Sequence, residues 1–349
     1  MRVAVCHPQT PFVKGGAETH AEQLVRALRE AGHEAELVYV AGKWYPGTEL
    51  VHQMAVWRSL DLSESNGLPI DAVIPLKFPA YLIKHERKIV WLIHQHRTAY
   101  ELWDHHEYAD LARQEDAILV REMIHAADRI ALGEAKRVFT NSKNVKERLW
   151  SSLRLPSEPL YHHSPISEVL MTAEAGPHGD EIVFPSRFES LKRQSLAVDA
   201  MRHVRTEVRL VLAGKGPQED ALRRQISDHK LEDRVSIEVW PSDARLGQLL
   251  LGALGVYYGP FDEDYGYVTI EGFAARRPVV TLGDSGGPLE FVLDGETGLV
   301  AAPEPLAIAE AFDRLYADRA LAARLGVAGR ALIEREVPWW SEIVARLLA

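Results

Sequence analysis

The chain has 349 residues, of which 46% are apolar and 26% charged, a soluble globular balance whose length suits two cores better than one. Its 40 basic side chains face 50 acidic ones for a net charge of −10, which argues against general electrostatic binding to a nucleic-acid backbone. No apolar run approaches the ~20 residues of a membrane-spanning helix, and "MRVAVCHP" is too short for a signal-peptide core, so a cytoplasmic protein is expected. The single cysteine, Cys6, cannot form an intrachain disulfide and reads as a small buried hydrophobe.

In chain order, "RVAV" predicts a first strand. "ETHAEQLVRALREAG" predicts a helix, with Ala21, Leu24, Val25, Leu28 and Ala31 at helical spacing and Gly32 as its C-terminal cap. "EAELVYV", "DAVIP" and "KIVWLIH" read as strands, "EDAILVREMIHAADRIALGEA" as a helix, and "RVFTNS" as a strand running into "KNVKERLW". Such alternation predicts a parallel sheet with helices on both faces. "MTAEAGPHGDE", residues 171 to 181, breaks the pattern and predicts a linker, dividing the chain into domains 1–170 and 171–336.

The alternation then restarts. "EIVFPS", "VRLVLAG", "RVSIEVW", "GVYYGP" and "PVVTLGD" predict strands, and "SLKRQSLAVDAMRHV", "QEDALRRQISDHK", "ARLGQLLLGAL" and the segment around Glu271 predict helices. The expected architecture is therefore α/β, two doubly wound Rossmann-like domains in tandem. Open sheets of this kind bind ligands at the carboxyl ends of their strands, so two of them create a cleft there. Function is expected in the loops that follow strands.

Two such loops carry charge. "FDEDYGY" follows "GVYYGP" and leads into a helix starting near Tyr267 or Val268, whose first amides suit a phosphate. Glu271 points back toward that helix start, where it can accept hydrogen bonds from sugar hydroxyls, and Glu263 faces the same opening. The alternative is that both acids are solvated or complement the helix dipole. "FPSRFESLKRQ" sets Arg187 and Lys192 five positions apart at a loop-to-helix junction, where two cations can neutralise a departing diphosphate. Each cation alone reads equally well as a surface charge.

Arg187 with Lys192, then "LVLAGKGP" with Gly214, then the Glu263/Glu271 pair, then "PVV" and "SGGPLE" resemble, in this order, the retaining glycosyltransferases of family 4, which have the two-domain GT-B fold. The resemblance covers most of the chain and is strongest in the second domain. It implies that Arg187 and Lys192 hold the donor diphosphate, Glu263 the donor-sugar hydroxyls and Glu271 the nucleotide ribose. Amides from Tyr265 through Gly266 and Tyr267 to Val268 would meet the phosphates. In the first domain it implies that Gly15 and Gly16 of "FVKGGAETH" form a loop near the donor phosphate and acceptor, although a plain tight turn is the alternative and no dinucleotide fingerprint is present. It also implies that His94 lies near the transferred sugar, with His96 as its rival in register. The closing segment "VPWWSEIVARLLA", 337–349, resembles the helix that crosses back onto the first domain, with Trp339, Trp340, Ile343, Val344 and Leu347 as its apolar face.

The implied reaction moves a sugar from a UDP- or GDP-linked donor to the hydroxyl of a small-molecule, glycan or lipid-linked acceptor, with retained configuration. The resemblance implies no required cofactor or metal. "DHHEYAD" offers His105, His106 and Asp110 as ligands only weakly, because neighbours on a helix point different ways. For a lipid-linked acceptor, "YLIKHERK" is the candidate for peripheral contact at the inner membrane face, against a solvated helix face as the alternative. Two departures bear on the local fold: Gly272 lies inside a helix, and Arg276 stands where a glycine usually ends it. Rival functions are a GT-B epimerase, a Rossmann oxidoreductase and a sugar-nucleotide binder without catalysis.

Overall fold

The computed structural model describes every residue except Ala175 and Trp240. Those two fall in the expected linker and at the end of the expected strand "RVSIEVW", and so lie outside the described residues. The chain forms two compact units, Met1–His162 with Pro338–Ala349, and His163–Val337.

The first unit runs β1 (Arg2–Gln9), α1 (Gly16–Glu30), β2 (Glu34–Ala41), α2 (Gly47–Ser59), a small hairpin of β3 (Glu64–Ser65) and β4 (Leu68–Pro69), β5 (Ala72–Pro75), β6 (Ile89–Leu92), α3 (Ala117–Gly133), β7 (Arg137–Thr140), α4 (Lys143–Leu153) and β8 (Glu158–Pro159). The second runs α5 (Pro165–Thr172), β9 (Glu181–Pro185), α6 (Gln194–Met201), β10 (Arg209–Gly214), α7 (Glu219–Asp228), β11 (Val235–Val239), α8 (Asp243–Gly252), β12 (Gly255–Tyr257), α9 (Tyr267–Ala274), β13 (Val279–Leu282), β14 (Gly298–Ala301), α10 (Pro305–Ala317) and α11 (Arg319–Glu336). The last helix, α12 (Trp340–Leu348), belongs to the first unit.

In the first unit two parallel sheets, β2-β1-β5 and β6-β7-β8, are joined by a bridge between Val73 and Lys88. The period of two along β1 sends Val3 and Val5 to the core beneath α1 and α12, and Ala4 and Cys6 to the core shared with α2, α3 and α4. Full burial pushes the Cys6 thiol up to about 12, so it is an inert apolar group. On α12, Trp340, Ile343, Val344 and Leu347 are buried, whereas Trp339, expected on the same face, precedes the helix and is half exposed. Trp340 packs with His20, Trp91 and His162 in one aromatic cluster.

The second unit holds a six-stranded parallel sheet in the order β11-β10-β9-β12-β13-β14. The chain winds outward from β9 to β10 and β11, then returns to the other side of β9 for β12 to β14. The switch point therefore lies between β9 and β12, where the crossovers diverge and leave a crevice at the strand ends.

Three expectations need correction. The division falls after His162 rather than at 170, because α5 packs on α8 and α9 inside the second unit. The helix expected from Ser190 begins only at Gln194: residues Ser190–Lys192 form a tight 3-10 turn, and Arg193 interrupts with a left-handed backbone at φ 57°. "YLIKHERK" is not a helix face; a 3-10 turn over Ala80–Leu82 is followed by bridge residues Lys84 and Lys88 on either side of a turn at Glu86 and Arg87. Its Lys88 is fully buried, donating to the Tyr81 and Ile83 carbonyls and to Glu134, so this cation is withdrawn from any basic edge.

Both departures at α9 have physical reasons. A Cβ on Gly272 would sit 2.9 Å from Val279 Cγ2 and 3.2 Å from Val256 Cγ2, so glycine lets the helix lie close on the sheet. Arg276 accepts the glycine geometry at φ 55° and donates from its guanidinium to the Ala173 carbonyl, a contact glycine could not make.

Candidate donor-binding site in the second unit

Three loops meet at the switch point: 186–193 after β9, 258–266 after β12 and 283–287 after β13. Backbone bonds hold them together. Phe261 N–H donates to the Leu191 carbonyl at 2.8 Å, Asp262 N–H to Asp284 at 2.9 Å, Glu263 N–H to Ser285 at 2.8 Å, and Gly287 N–H to Glu263 at 2.8 Å. Each of these amides would otherwise be left without a partner in a loop, so the bonds fix the loop's register.

At the centre Lys192 Nζ lies 2.5 Å from Glu263 Oε2 and donates to the Tyr258 hydroxyl at 3.2 Å. Burial alone would push the Lys192 ammonium down, but the Glu263 carboxylate and the Tyr258 hydroxyl more than offset it and hold Lys192 above the ordinary lysine range. Both side chains of the pair are mostly buried. A fixed positive charge and an adjacent carboxylate thus occupy the crevice, suited to an anion beside a hydroxylated group.

Arg187 does not join this pair. Its Nη1 lies 2.8 Å from Glu189 Oε1, and both side chains are about one-third exposed, a surface ion pair worth little. Glu271 is likewise separate: it is 7% exposed and its Oε1 accepts from the Ser164 hydroxyl at 2.7 Å. Burial raises its carboxyl to about 7, with the Ser164 hydrogen bond acting against that and Asp243 adding to it. Relative to the ordinary carboxylate at 4.5, the folded protein holds this proton longer than the unfolded chain does, so stability falls as pH rises from 4.5 through 7. Replacing Glu271 with Gln should remove that slope and raise the unfolding free energy, read from urea unfolding, more at pH 8 than at pH 5, by roughly 3 kcal/mol at the higher pH. Equal shifts at both pH values would sink this reading.

The remaining candidates of this unit lie around α9. Gly266 caps it at φ 86°, Tyr267 and Val268 open its first turn, and the Thr269 N–H donates to the Gly266 carbonyl at 3.0 Å. The Tyr265 ring is buried against Tyr267 and Phe291. Gly214 ends β10, where a Cβ would stand 2.0 Å from the Ser186 carbonyl; its size permits the loop carrying Arg187 to lie against β10.

In the first unit, Gly15 precedes α1 and donates its N–H to Glu18 at 2.9 Å, and Gly16 opens the helix. Glu18 also meets His7 Nε2 at 3.3 Å and Lys77 Nζ at 3.7 Å. Although its own burial opposes the shift, bonding to His7 and the charge of Lys77 bring the Glu18 carboxyl down to about 2. His94 follows β6, with its Nδ1 2.5 Å from the Gln95 carbonyl oxygen. His96 is packed between Trp44 and Phe78, and burial brings it down to about 3, a neutral structural ring. His105 and His106 stack on one another, and among the described residues no group of three metal-binding side chains forms a cluster.

Sequence reasoning missed Tyr258, Arg193, Asp284, His7, Glu18 and Lys77. For Glu18 a signal existed, an acid three residues after the residue preceding a helix. The others converge only through the sheet order.

This architecture, two Rossmann-like units with a switch-point crevice in the second, is the GT-B fold of glycosyltransferases. Sucrose-phosphate synthase of Thermosynechococcus elongatus shares it at 17% identity and a TM-score of 0.76, covering 100% of this chain and 98% of that one. HepE of Anabaena, solved with UDP and glucose, aligns at 15% identity and a TM-score of 0.66 over 100% and 99%. Residues 175–332, which lie in the second unit, match the family model "Glycosyl transferases group 1". The alpha-1,3/1,6-mannosyltransferase ALG2 of Mus musculus is 29% identical over 175 residues, 45% of this chain. The match spans 42% of that enzyme's own length, less than half. No helix among the described residues is long and apolar enough to cross a membrane.

Proposed function

We propose that the protein is a retaining glycosyltransferase of family 4, which moves a sugar from a nucleoside-diphosphate donor to an acceptor hydroxyl in glycan or glycolipid synthesis. The observation that carries this reading is the Lys192–Glu263 pair at 2.5 Å in the crevice between β9 and β12. Bond cleavage leaves negative charge on the diphosphate; Lys192, the first amides of α9 and a re-aimed Arg187 meet it there. Glu263, released from Lys192 by the incoming phosphate, accepts from donor-sugar hydroxyls, and Glu271 serves the ribose. In the first unit, His94 is assigned to the transferred sugar and the Gly15–Gly16 loop to the donor phosphate and acceptor. The protein's own cations supply the positive charge, so no metal role is assigned.

The matched glycosyl transferases group 1 domain and the mannosyltransferase relative support this chemistry. The UDP and glucose bound by HepE support a nucleotide-sugar donor, UDP- or GDP-linked. The acceptor is a small molecule, a glycan or a lipid-linked sugar reached from the cytoplasm.

The test is a thermal-shift panel of UDP, GDP and their sugars. A ligand present at a hundred times its Kd adds about 2.7 kcal/mol to the native state, so one base should raise the melting point and its sugar conjugate should undergo transfer or slow hydrolysis. A melting point unmoved by every nucleoside diphosphate would overturn the reading.

A further inference from the structure

The residue after Lys192 is held in a conformation that L side chains rarely adopt. Arg193, at φ 57° and ψ 40°, ends the 3-10 turn and starts α6, and by this step the consecutive side chains of Lys192 and Arg193 both reach the loop after β12. Such a conformation persists only where the surroundings determine it. Here they do: Arg193 Nε donates to the Gly259 carbonyl at 2.9 Å, Nη2 to the Pro260 carbonyl at 2.8 Å, and Nη1 and Nη2 grip Asp284 at 2.8 and 2.6 Å.

The guanidinium thus spends its planar fork on two loops at once. Two carbonyls belong to the loop after β12 and the carboxylate to the loop after β13. Glu263, three residues beyond Pro260, is in turn paired through its backbone with Ser285 and Gly287, immediately past Asp284. The register of Glu263 relative to Lys192 therefore depends on how these loops are tied.

We propose that Arg193 is a positioning residue: by clamping Asp284 and the Gly259–Pro260 carbonyls, it sets the Glu263 carboxylate against Lys192 and so fixes the site for the donor sugar. The effect on turnover rests on the glycosyltransferase reading above; the clamp itself does not. A lysine at 193 keeps the charge but lacks the fork, so it cannot hold three acceptors in one plane.

The test uses Arg193→Ala, Arg193→Lys and Asp284→Ala in the full chain. Hydrogen exchange without substrate should rise in segments 261–266 and 285–287 for all three variants. In turnover of the donor that the thermal panel identifies, Arg193→Ala and Asp284→Ala should lower kcat alike, by about tenfold or more, with the Kd of the free nucleoside diphosphate within about threefold. If Arg193 acts through Glu263, Arg193→Ala should cost less than about threefold further in a Glu263→Gln background. The lysine variant, which perturbs folding least, should resemble alanine rather than wild type. Unchanged exchange, or an equal loss in the Glu263→Gln background, would overturn the proposal. A wild-type chain that binds no nucleotide would remove the glycosyltransferase reading, and exchange alone would then decide the clamp.

Discussion

Lys192→Ala is expected to lower kcat/KM for the proposed sugar transfer by about a thousandfold, the largest loss of any single change at the site. Two effects combine. The departing diphosphate loses a positive charge held in a mostly buried position, where electrostatic stabilisation is worth more than in water. The substitution also takes the cation away from Glu263, whose carboxylate faces Lys192 at 2.5 Å, and a mostly buried acid whose cation is gone repels the incoming phosphate. Steady-state kinetics beside nucleotide titration checks this: affinity for the nucleoside diphosphate should weaken together with kcat. Arg187→Ala should cost less, since Arg187 is a third exposed and already paired with Glu189. Near wild-type turnover in Lys192→Ala would remove the electrostatic basis of the proposed mechanism.

Gly214→Ala should produce the largest loss of stability. The added methyl would have to occupy a position 2.0 Å from the Ser186 carbonyl, a backbone atom that cannot swing away as a side chain can. Either β10 withdraws from β9, with which it pairs from Arg209 to Ala213, or the loop carrying Arg187 is pushed outward. Overpacking of this kind costs roughly 1–3 kcal/mol and sometimes more. Urea unfolding should show a lowered midpoint with unchanged slope, and donor affinity should fall because the displaced loop leads into Lys192. A midpoint within error of wild type would mean that glycine is dispensable there.

The two expectations differ in how far the sequence alone supports them. Lys192 and Glu263 could be singled out from local pattern: each follows a β-branched run that predicts a strand, and open parallel sheets bind at strand ends. Gly214 could be singled out only by resemblance, and its steric reason is visible only once β10 lies beside the loop after β9. Arg193 and Asp284 lie 91 positions apart, and neither carries a local signal that predicts the other.

What the sequence by itself determined is the strand–helix alternation of two α/β units, although it did not name α2, α5, β14, α10 or α11. Hydrophobic period, β-branched runs and caps such as Gly32 are local, and local interactions act within a few residues of the chain. The left-handed step at Arg193 lay beyond that reach, because an arginine in a helical pattern predicts helix until distant acceptors hold it otherwise. The partners of the candidate residues were decided by tertiary structure alone: Lys192 with Glu263, Arg187 with Glu189, and Glu271 with Ser164. Strand order brings loops from β9, β12 and β13 to one place, and an ion pair depends on distance in space, which spacing along the chain does not encode.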